Sequence, residues 1–334
     1  MTQKNDKAVG IIGIGSYVPE KVVTNKDFEK MVDTTDEWIF ERTGIRARHF
    51  SAEGENTSDM AAHAAEKALA DAKLTADDID LIIVATATPD MFFPSTACLV
   101  QTKIKAGKAA AYDLAAGCSG FMYGISTGMQ FIKTGWYKHI LVIGAENLSR
   151  FMDMTDRNTC VLFGDGAGAV VLGELPAGFG ILGTHLGADG SGGELLKLPA
   201  GATRMPASEE TLRQRLHYIY MDGNEVFKFA IKIMGEAAVK ALDDAKLTAA
   251  DLDWLIPHQA NIRIIQSAAK RLKMPLEKVV VNVDRFGNTS SASIPIALEE
   301  AIHDGRIKSG QLVGMVGFGA GLTWAAAVMR WYRA

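Results

Sequence analysis

Hydrophobic and polar positions along the chain alternate between two kinds of segment. Short runs that are almost wholly apolar, such as Leu81–Ala85 and Trp254–Pro257, have the length and composition of buried strands. Longer segments, including residues 121–132 and 294–302, carry an apolar stripe at helical spacing. This alternation predicts an α/β protein whose sheets are covered on both faces.

Residues 312–329 carry no charge, and that length would suffice to cross a bilayer. Glycines crowd the middle of this run, at positions 314, 317, 319 and 321. Two buried strands joined by a glycine-rich bend explain the pattern better than a transmembrane helix does. We therefore expect no membrane association.

The chain repeats itself at about half its length. Residues 65–80 and 238–253 share twelve of sixteen residues at a constant offset of 238 − 65 = 173, and each copy reads as a helix, a polar turn and a buried strand. Two similar halves are predicted, an N-terminal one over 1–178 and a C-terminal one over 179–334. Residues 17–61 and 187–224 have no counterpart, and we expect these insertions to shape a binding surface.

Composition narrows the class of protein. The 334 residues are 48% hydrophobic and 22% charged with a net charge of −4, so no basic field favours nucleic acid as a partner. Three cysteines are a small and odd number, which does not suit a disulfide framework, and the N-terminal residues do not resemble a signal peptide. Together these two features predict a cytoplasmic protein. No Cys/His cluster has the spacing of metal ligands, so no metal is expected.

Three polar residues follow apolar, strand-like runs. Cys118 precedes the helix predicted over 121–132, His258 follows Trp254–Pro257, and Asn288 precedes the helix predicted over 294–302. Ligands of α/β folds sit where strands end and helices begin, and a thiol beside an imidazole and a carboxamide suits nucleophilic catalysis. The helix N-terminus should lower the pKa of the Cys118 thiol. Asn288 alone could be a helix cap, but the repeat places it opposite Cys118.

Several segments together resemble the thiolase-like condensing enzymes, and most closely the β-ketoacyl-[acyl-carrier-protein] synthase III family. The matching segments are residues 36–39, 42–45, 117–121, 163–169, 223–228, 257–261, 287–295 and 317–324. The resemblance implies a duplicated, layered αβαβα fold, two halves each with a mixed sheet, and a homodimer. It also implies that a short acyl group passes from coenzyme A to Cys118 and condenses with malonyl-[acyl-carrier protein]. The expected acyl group is acetyl. That condensation releases CO2 and gives the first 3-oxoacyl thioester of type II fatty acid biosynthesis, with no permanently bound cofactor.

The resemblance also assigns roles to individual residues. His258 and Asn288 would stabilise the enolate, and the backbone N–H groups of Cys118 and Ala320 would form the oxyanion hole, although the family often has glycine at position 320. The expected coenzyme A contacts are Trp38, Arg42, Arg157, Ala260 and Asn261. The expected acyl-pocket residues are Phe93, contributed by the dimer partner, with Leu162 and Phe227. A basic set that suits an acidic carrier protein comprises Lys228, Arg263, Lys270 and Arg271, with Lys273, though solvated helix-end cations would look the same.

Three alternatives stay open at this point. A papain-like hydrolase has the same order of Cys, His and Asn and a similar Cys-to-His separation, here 258 − 118 = 140, but its local signature differs and it has no internal duplication. A non-catalytic paralogue that binds acyl thioesters would not need the intact residue set. A starter-unit synthase of a specialised pathway, or one for longer acyl-CoA, is the nearest competitor.

Overall fold

A computed structural model describes residues 7–333 of the chain, so residues 1–6 and Ala334 lie outside the described part. The described chain forms thirteen strands: β1 Ala8–Tyr17, β2 Lys21–Thr24, β3 Ala47–Phe50, β4 Leu81–Ala85, β5 Ala110–Leu114, β6 Ile140–Glu146, β7 Gly166–Leu175, β8 Gly180–Ala188, β9 Leu196–Lys197, β10 Tyr220–Met221, β11 Trp254–Pro257, β12 Leu312–Gly319 and β13 Thr323–Arg330. Its α-helices are α1 Asn25–Phe28, α2 Asp36–Thr43, α3 Thr57–Ala72, α4 Thr96–Lys103, α5 Gly120–Lys133, α6 Glu209–Arg213, α7 Gly223–Asp244, α8 Ile262–Arg271, α9 Val283–Phe286 and α10 Ser293–His303.

Two mixed sheets dominate the structure. The first has the strand order β1-β7-β6-β4-β5, in which β4 lies parallel to both β5 and β6. The second has the order β11-β12-β13-β8, in which only β11 and β12 are parallel. The uncharged run at 312–329 forms the buried antiparallel pair β12 and β13, as its glycine-rich middle predicts. No helix within residues 7–333 is apolar over a length that could cross a bilayer.

The sequence repeat is also a repeat of the backbone. Lys73 and Lys246 follow α3 and α7 with left-handed φ angles of 55° and 57°. Thr75 and Thr248 then cap the next short turn, and each forms reciprocal hydrogen bonds with the residue three positions on. Strands β4 and β11 follow these turns and begin and end where the apolar runs do. The two copies therefore fold alike.

The helices divide into layers around the two sheets. Helix α3 packs on β1, β6 and β7 on the outer side of the first sheet, and α7 packs on β8, β12 and β13 of the second. Helices α5 and α10 lie between the sheets, since α5 contacts both β6 and β13 while α10 contacts both β7 and β11. This arrangement is the predicted duplicated αβαβα fold. The predicted boundary between the halves falls in the turn between β7 and β8.

The unmatched insertions lie beside the central layer. The first insertion contains α1, α2, β2 and β3, and the second contains the short β9–β10 pair with α6. Met221 in β10 and Leu196 in β9 both line a cavity that reaches the centre of the molecule. The expectation that these insertions shape a binding surface is consistent with this placement.

Candidate active site

Cys118 lies in a tight 3-10 turn, Gly117–Ser119, between the end of β5 and the start of α5. Gly117 has a φ of +53°, and a side chain there would lie 2.7 Å from the backbone nitrogen of Ala320. Glycine therefore permits both the turn and the close approach of a loop from the second half. The prediction that Cys118 stands at a helix N-terminus is confirmed.

The predicted lowering of the Cys118 pKa is wrong for the unliganded protein. Burial raises the pKa of this thiol to about 12, because the charged thiolate is disfavoured away from water. The Glu146 carboxylate raises it further, while the nearby Ser290 hydroxyl lowers it. The sequence indicated the helix N-terminus, but it did not show how completely the sulfur is enclosed.

His258 follows β11 and is almost wholly buried, with 1% of its surface exposed. Its backbone N–H donates to the carbonyl of Val316 at 2.8 Å, which continues the pairing of β11 with β12. Its ring Nδ1 lies 2.6 Å from the Ser293 hydroxyl. Burial lowers the His258 pKa to about 3, so the imidazole is neutral. The tautomer decides which of these two atoms donates, and when the Ser293 hydroxyl donates to Nδ1, the ring hydrogen is on Nε2.

Asn288 precedes α10 on a loop that is tied to the first half. Its backbone N–H donates to Leu162 O at 2.9 Å, and its carbonyl accepts from Gly164 N at 2.9 Å. Its side-chain Oδ1 accepts from the backbone of Ser290 at 2.9 Å. With Oδ1 occupied, the Asn288 amide offers its N–H hydrogens as donors.

The structure brings the three predicted side chains together. Cys118, His258 and Asn288 line one cavity of about 90 Å³, whose wall also includes Phe318 and Gly319. Cys118 and His258 follow strands β5 and β11, as expected, whereas Asn288 follows the short helix α9 and not a strand, and an isolated β-bridge to Phe163 holds it in place. The cavity thus holds a sulfur nucleophile beside two neutral hydrogen-bond donors.

Two backbone segments meet at the sulfur, one from each half. A side chain at Gly319 would lie 2.3 Å from the backbone nitrogen of Cys118, so only glycine fits there. The Thr323 hydroxyl donates to Ala116 O at 2.7 Å and lies 2.6 Å from the Ser119 hydroxyl, which fastens the segments together. The backbone nitrogens of Cys118 and Ala320 are therefore close neighbours, as an oxyanion hole requires.

A wider opening of about 560 Å³ leads toward this cavity from the surface. Leu162, Phe227 and Asn261 line both spaces, so the two spaces adjoin, and Ala260 lines the inner one. The predicted coenzyme A contacts Trp38 and Arg42 lie at the opening.

Two arginine side chains lie near the indole ring of Trp38. The guanidinium carbons of Arg42 and Arg157 lie 4.7 and 5.2 Å from its ring centroid. Arg157 also donates to the backbone carbonyl of Asp33 at 2.7 Å. A planar ring that enters between Trp38 and Arg157 must therefore displace the guanidinium outward.

A second cavity, of about 110 Å³, also borders Cys118. Its apolar wall is formed by Leu148, Phe151, Phe163, Leu196, Leu198 and Ile219. Apart from Phe163, which begins the family-like segment 163–169, these residues carried no sequence signal that distinguishes them from ordinary core positions. Leu162 and Phe227 instead line the approach to Cys118, and Phe93 is 86% exposed and lines none of the cavities described here for residues 7–333.

The predicted basic set lies on neighbouring helices, α7 and α8, and is exposed. Lys228 pairs with Glu225 at 2.7 Å, and the Arg263 guanidinium lies 5.1 Å from the Phe227 ring at the edge of the opening. The exposed cations nearer the end of α8 are Lys270 and Arg271, followed by Lys273. Helix α8 has no acidic residue, so its outer surface is positive.

Comparisons with known proteins agree with this geometry. Two family models match, 3-oxoacyl-[acyl-carrier-protein (ACP)] synthase III over residues 112–190 and its C-terminal counterpart over residues 242–331. The β-ketoacyl-[acyl-carrier-protein] synthase III of Caldanaerobacter subterraneus subsp. tengcongensis is 57% identical over 97% of this chain and 98% of its own length. The crystal structure of 3-oxoacyl-[acyl-carrier-protein] synthase III from Aquifex aeolicus superposes with a TM-score of 0.90 at 48% identity, over 97% of this chain and 100% of that one. The priming β-ketosynthase of the R1128 polyketide pathway gives a TM-score of 0.90 at 34% identity and 98% coverage of both chains.

The duplicated five-layer fold and the Cys–His–Asn site between its halves define a thiolase-like condensing enzyme. Such a site serves acyl transfer, and the papain-like alternative is excluded because the similarity to condensing enzymes covers nearly the whole chain. The chain belongs to the β-ketoacyl-[acyl-carrier-protein] synthase III family, the acyltransferases that perform the initiating condensation of fatty acid biosynthesis.

Proposed function

We propose that this chain transfers a short acyl group from coenzyme A to Cys118 and condenses it with malonyl-[acyl-carrier protein]. Acetyl is the expected acyl group. The products are 3-oxoacyl-[acyl-carrier protein], coenzyme A and CO2. One observation carries this proposal. Cys118, His258 and Asn288 share a single cavity between a polar opening and an apolar cavity.

The first half-reaction requires a nucleophile and an oxyanion site. The Cys118 sulfur attacks the acyl thioester, and the C–S bond to coenzyme A breaks as the new thioester forms. The backbone N–H groups of Cys118 and Ala320 are held close together and suit the negative charge of the tetrahedral intermediate. The apolar cavity beyond Cys118 receives the acyl chain.

The second half-reaction requires donors that do not protonate carbon. Decarboxylation of the malonyl group leaves an enolate, whose oxygen accepts hydrogen bonds from His258 Nε2 and the Asn288 amide. The low pKa of His258, about 3, keeps the imidazole neutral, so it stabilises the enolate without quenching it. The carbon then attacks the acyl group on Cys118, and the thiolate leaves.

The opening suits coenzyme A. The adenine stacks between Trp38 and Arg157 once that guanidinium moves outward, and Arg42 meets the phosphates. Asn261 caps α8 and donates to the backbone carbonyl of Arg42 at 2.8 Å, which places it with Ala260 along the narrow part of the passage. The pantetheine arm reaches Cys118 through this passage between Leu162 and Phe227.

The positive surface of α8 suits an acidic carrier protein. Arg263, Lys270 and Arg271 all lie on this helix, and Arg263 lines the opening through which the pantetheine arm must pass. Lys228 contributes less, because Glu225 offsets its charge. Docking on α8 would let malonyl-[acyl-carrier protein] use the same passage as coenzyme A.

A second copy of the chain would cover an exposed apolar face. Strand β5 is an edge of the first sheet, and among the described residues it pairs only with β4. Met91, Phe92 and Phe93 are 48%, 75% and 86% exposed. A large exposed apolar patch beside an unpaired edge favours association, so we propose a homodimer in which Phe93 reaches the partner's acyl cavity.

Intact mass spectrometry after incubation with a panel of acyl-CoAs tests the first half-reaction. We expect acyl adducts on the wild-type chain and none on Cys118→Ser at the same concentrations. Preference for acetyl-CoA would support the initiating role, whereas preference for longer chains would favour a specialised starter synthase. His258→Ala and Asn288→Ala should acylate normally yet fail to decarboxylate malonyl-[acyl-carrier protein], and wild-type condensation by either would refute the enolate-donor assignment.

A further inference from the structure

Glu146 is a buried carboxyl group for which the mechanism above has no role. It is the last residue of β6, and none of its surface is exposed. Its oxygens lie 2.7 Å from the Thr88 hydroxyl, 2.9 Å from the Ser290 hydroxyl and 3.0 Å from the Ser291 hydroxyl, and they accept from a backbone N–H at 3.1 Å. Burial raises the pKa of this carboxyl.

Glu146 lies near a titratable group of the candidate site. That group is the Cys118 thiol, whose pKa the carboxylate raises. No lysine, arginine or histidine of the described chain forms an ion pair with Glu146. The other groups around it are hydroxyls and a backbone amide. A carboxylate and a thiol buried together without a cation favour a single shared proton, since two neighbouring negative charges are costly there.

Ser290 joins the two groups. Its hydroxyl donates to Glu146 Oε1 at 2.9 Å, and it also lowers the pKa of the Cys118 thiol. Ser290 and Cys118 also line the same cavity. A hydroxyl has one hydrogen, so it donates either to the carboxylate or to a thiolate. When Ser290 donates to the sulfur, its oxygen is free to accept from a protonated Glu146.

Neighbouring Ser291 differs in one respect that makes it informative. Its hydroxyl lies 3.0 Å from the same carboxyl oxygen and 2.8 Å from Ala85 O, but unlike Ser290 it does not line the cavity that Cys118 lines. It anchors Glu146 without linking that residue to the nucleophile.

We propose that Glu146, acting through Ser290, takes and holds the proton that Cys118 loses on acylation and later returns it to the same sulfur. The inference rests on the function proposed above. As the sulfur attacks, its proton passes to the Ser290 oxygen while the Ser290 hydrogen passes to Glu146. The departing coenzyme A thiolate takes a proton from solvent at the opening. In the condensation, the Cys118 thiolate leaves the acyl carbon, and the proton returns along the same path.

The other candidate base is poorly suited to this task. His258 lines the same cavity as Cys118, but burial lowers its pKa to about 3, so it cannot hold a proton at neutral pH. A thiol with a pKa near 12 needs a local acceptor, because its thiolate is scarce at neutral pH. Glu146 supplies that acceptor as a positioning residue that never touches the substrate.

The test measures the rate of acetyl-enzyme formation from acetyl-CoA between pH 6 and 9, by rapid quench and intact mass spectrometry. In the wild-type protein the shared proton makes the reactive fraction nearly independent of pH between the two apparent pKa values of the pair. Glu146→Gln and Ser290→Ala should slow acylation at pH 7 on the order of 100-fold. Their rates should also rise about tenfold per pH unit, because the proton must then leave to solvent. Glu146→Asp should recover part of the loss.

Ser291→Ala is the matched control, since it removes a hydrogen bond to the same carboxyl oxygen but not the path to sulfur. It should keep the wild-type pH profile. A Glu146→Gln variant that acylates as fast as the wild type or faster, with an unchanged profile, would overturn the inference, because Glu146 would then act by charge alone. If Glu146→Gln does not fold, identical profiles for Ser290→Ala and Ser291→Ala would overturn it equally. Absence of any acetyl-enzyme in the wild-type protein would instead refute the proposed function itself.

Discussion

The hydroxyl of Ser293 should control condensation without affecting acylation. Ser293 is the first residue of α10, and its hydroxyl lies 2.6 Å from Nδ1 of His258 while accepting from Gln259 N at 3.3 Å. A Ser293 hydroxyl that donates to Nδ1 holds the hydrogen of His258 on Nε2, the nitrogen that must donate to the enolate. Ser293→Ala removes this constraint but leaves the sulfur untouched.

The size of the effect follows from the burial of the ring. A lost hydrogen bond costs about 0.5–1.5 kcal/mol, and a buried acceptor left without a partner costs roughly 1–3 kcal/mol. Since about 1.4 kcal/mol corresponds to tenfold in rate, condensation should slow between about twofold and 100-fold, with about tenfold as the central value. His258 is 1% exposed, so water cannot readily replace the lost hydroxyl.

Single-turnover assays separate the two half-reactions. Pre-acetylated Ser293→Ala enzyme is mixed with malonyl-[acyl-carrier protein], and the release of CO2 is compared with that of the wild type. Acetylation of the free variant by acetyl-CoA serves as the internal control and should proceed at the wild-type rate. Condensation at the wild-type rate, or a parallel loss in both half-reactions, would show that Ser293 does not act through the imidazole.

The structure supports further predictions. Gly319→Ala would place a methyl group 2.3 Å from the Cys118 nitrogen, so acyl-enzyme formation should fall on the order of 100-fold or more in the mass-spectrometric assay. Trp38→Ala should raise the KM for acetyl-CoA about tenfold and leave kcat nearly unchanged in steady-state assays, because it removes stacking that is equal in ground and transition states. Ile219→Phe should narrow the apolar cavity and reduce the rate with longer acyl-CoAs more than with acetyl-CoA, as a competition assay would show. Condensation by pre-acylated enzyme should show no inflection from His258 between pH 5 and 8, since its lowered pKa of about 3 keeps the ring neutral throughout that range.

The fold could be predicted because the repeat is strong and local. A polar turn precedes each of the strands β4 and β11, and each strand begins and ends with its apolar run. The positions of Cys118 and His258 followed from the same pattern, because each comes where an apolar run ends as a strand, whereas Asn288 follows helix α9 and could be placed only by its correspondence to Cys118 in the repeat. Local sequence and the repeat together therefore sufficed to bring the three residues into one layer.

The acyl cavity and the state of the thiol could not be predicted in this way. Leu148, Phe151 and Ile219 come from separate segments, and an apolar side chain that lines a cavity has the same local pattern as one in a packed core. Whether the pKa of Cys118 is raised or lowered depends on how the second half of the chain covers the sulfur. That enclosure depends on contacts between residues about 200 positions apart, such as Ser119 with Thr323, and no local window contains them.

The duplication itself explains why one site, and not two, arises. The register pairs Ile83 with Val142 in the first sheet and Ile256 with Met315 in the second, so the offset of 173 also makes Glu146 the counterpart of Gly319. Each of these two residues ends its strand against the catalytic loop of the other half. Gly319 lies against Cys118, and Glu146 lies against the serines that follow Asn288. The near-symmetry brings corresponding positions of the two halves together at one site. If the two halves carried identical residues at these positions, the site would hold two equal chemical groups. Acyl transfer instead needs a nucleophile beside a neutral donor. The two halves must therefore differ at these strand ends, which is where the sequence repeat fails while the fold repeat persists.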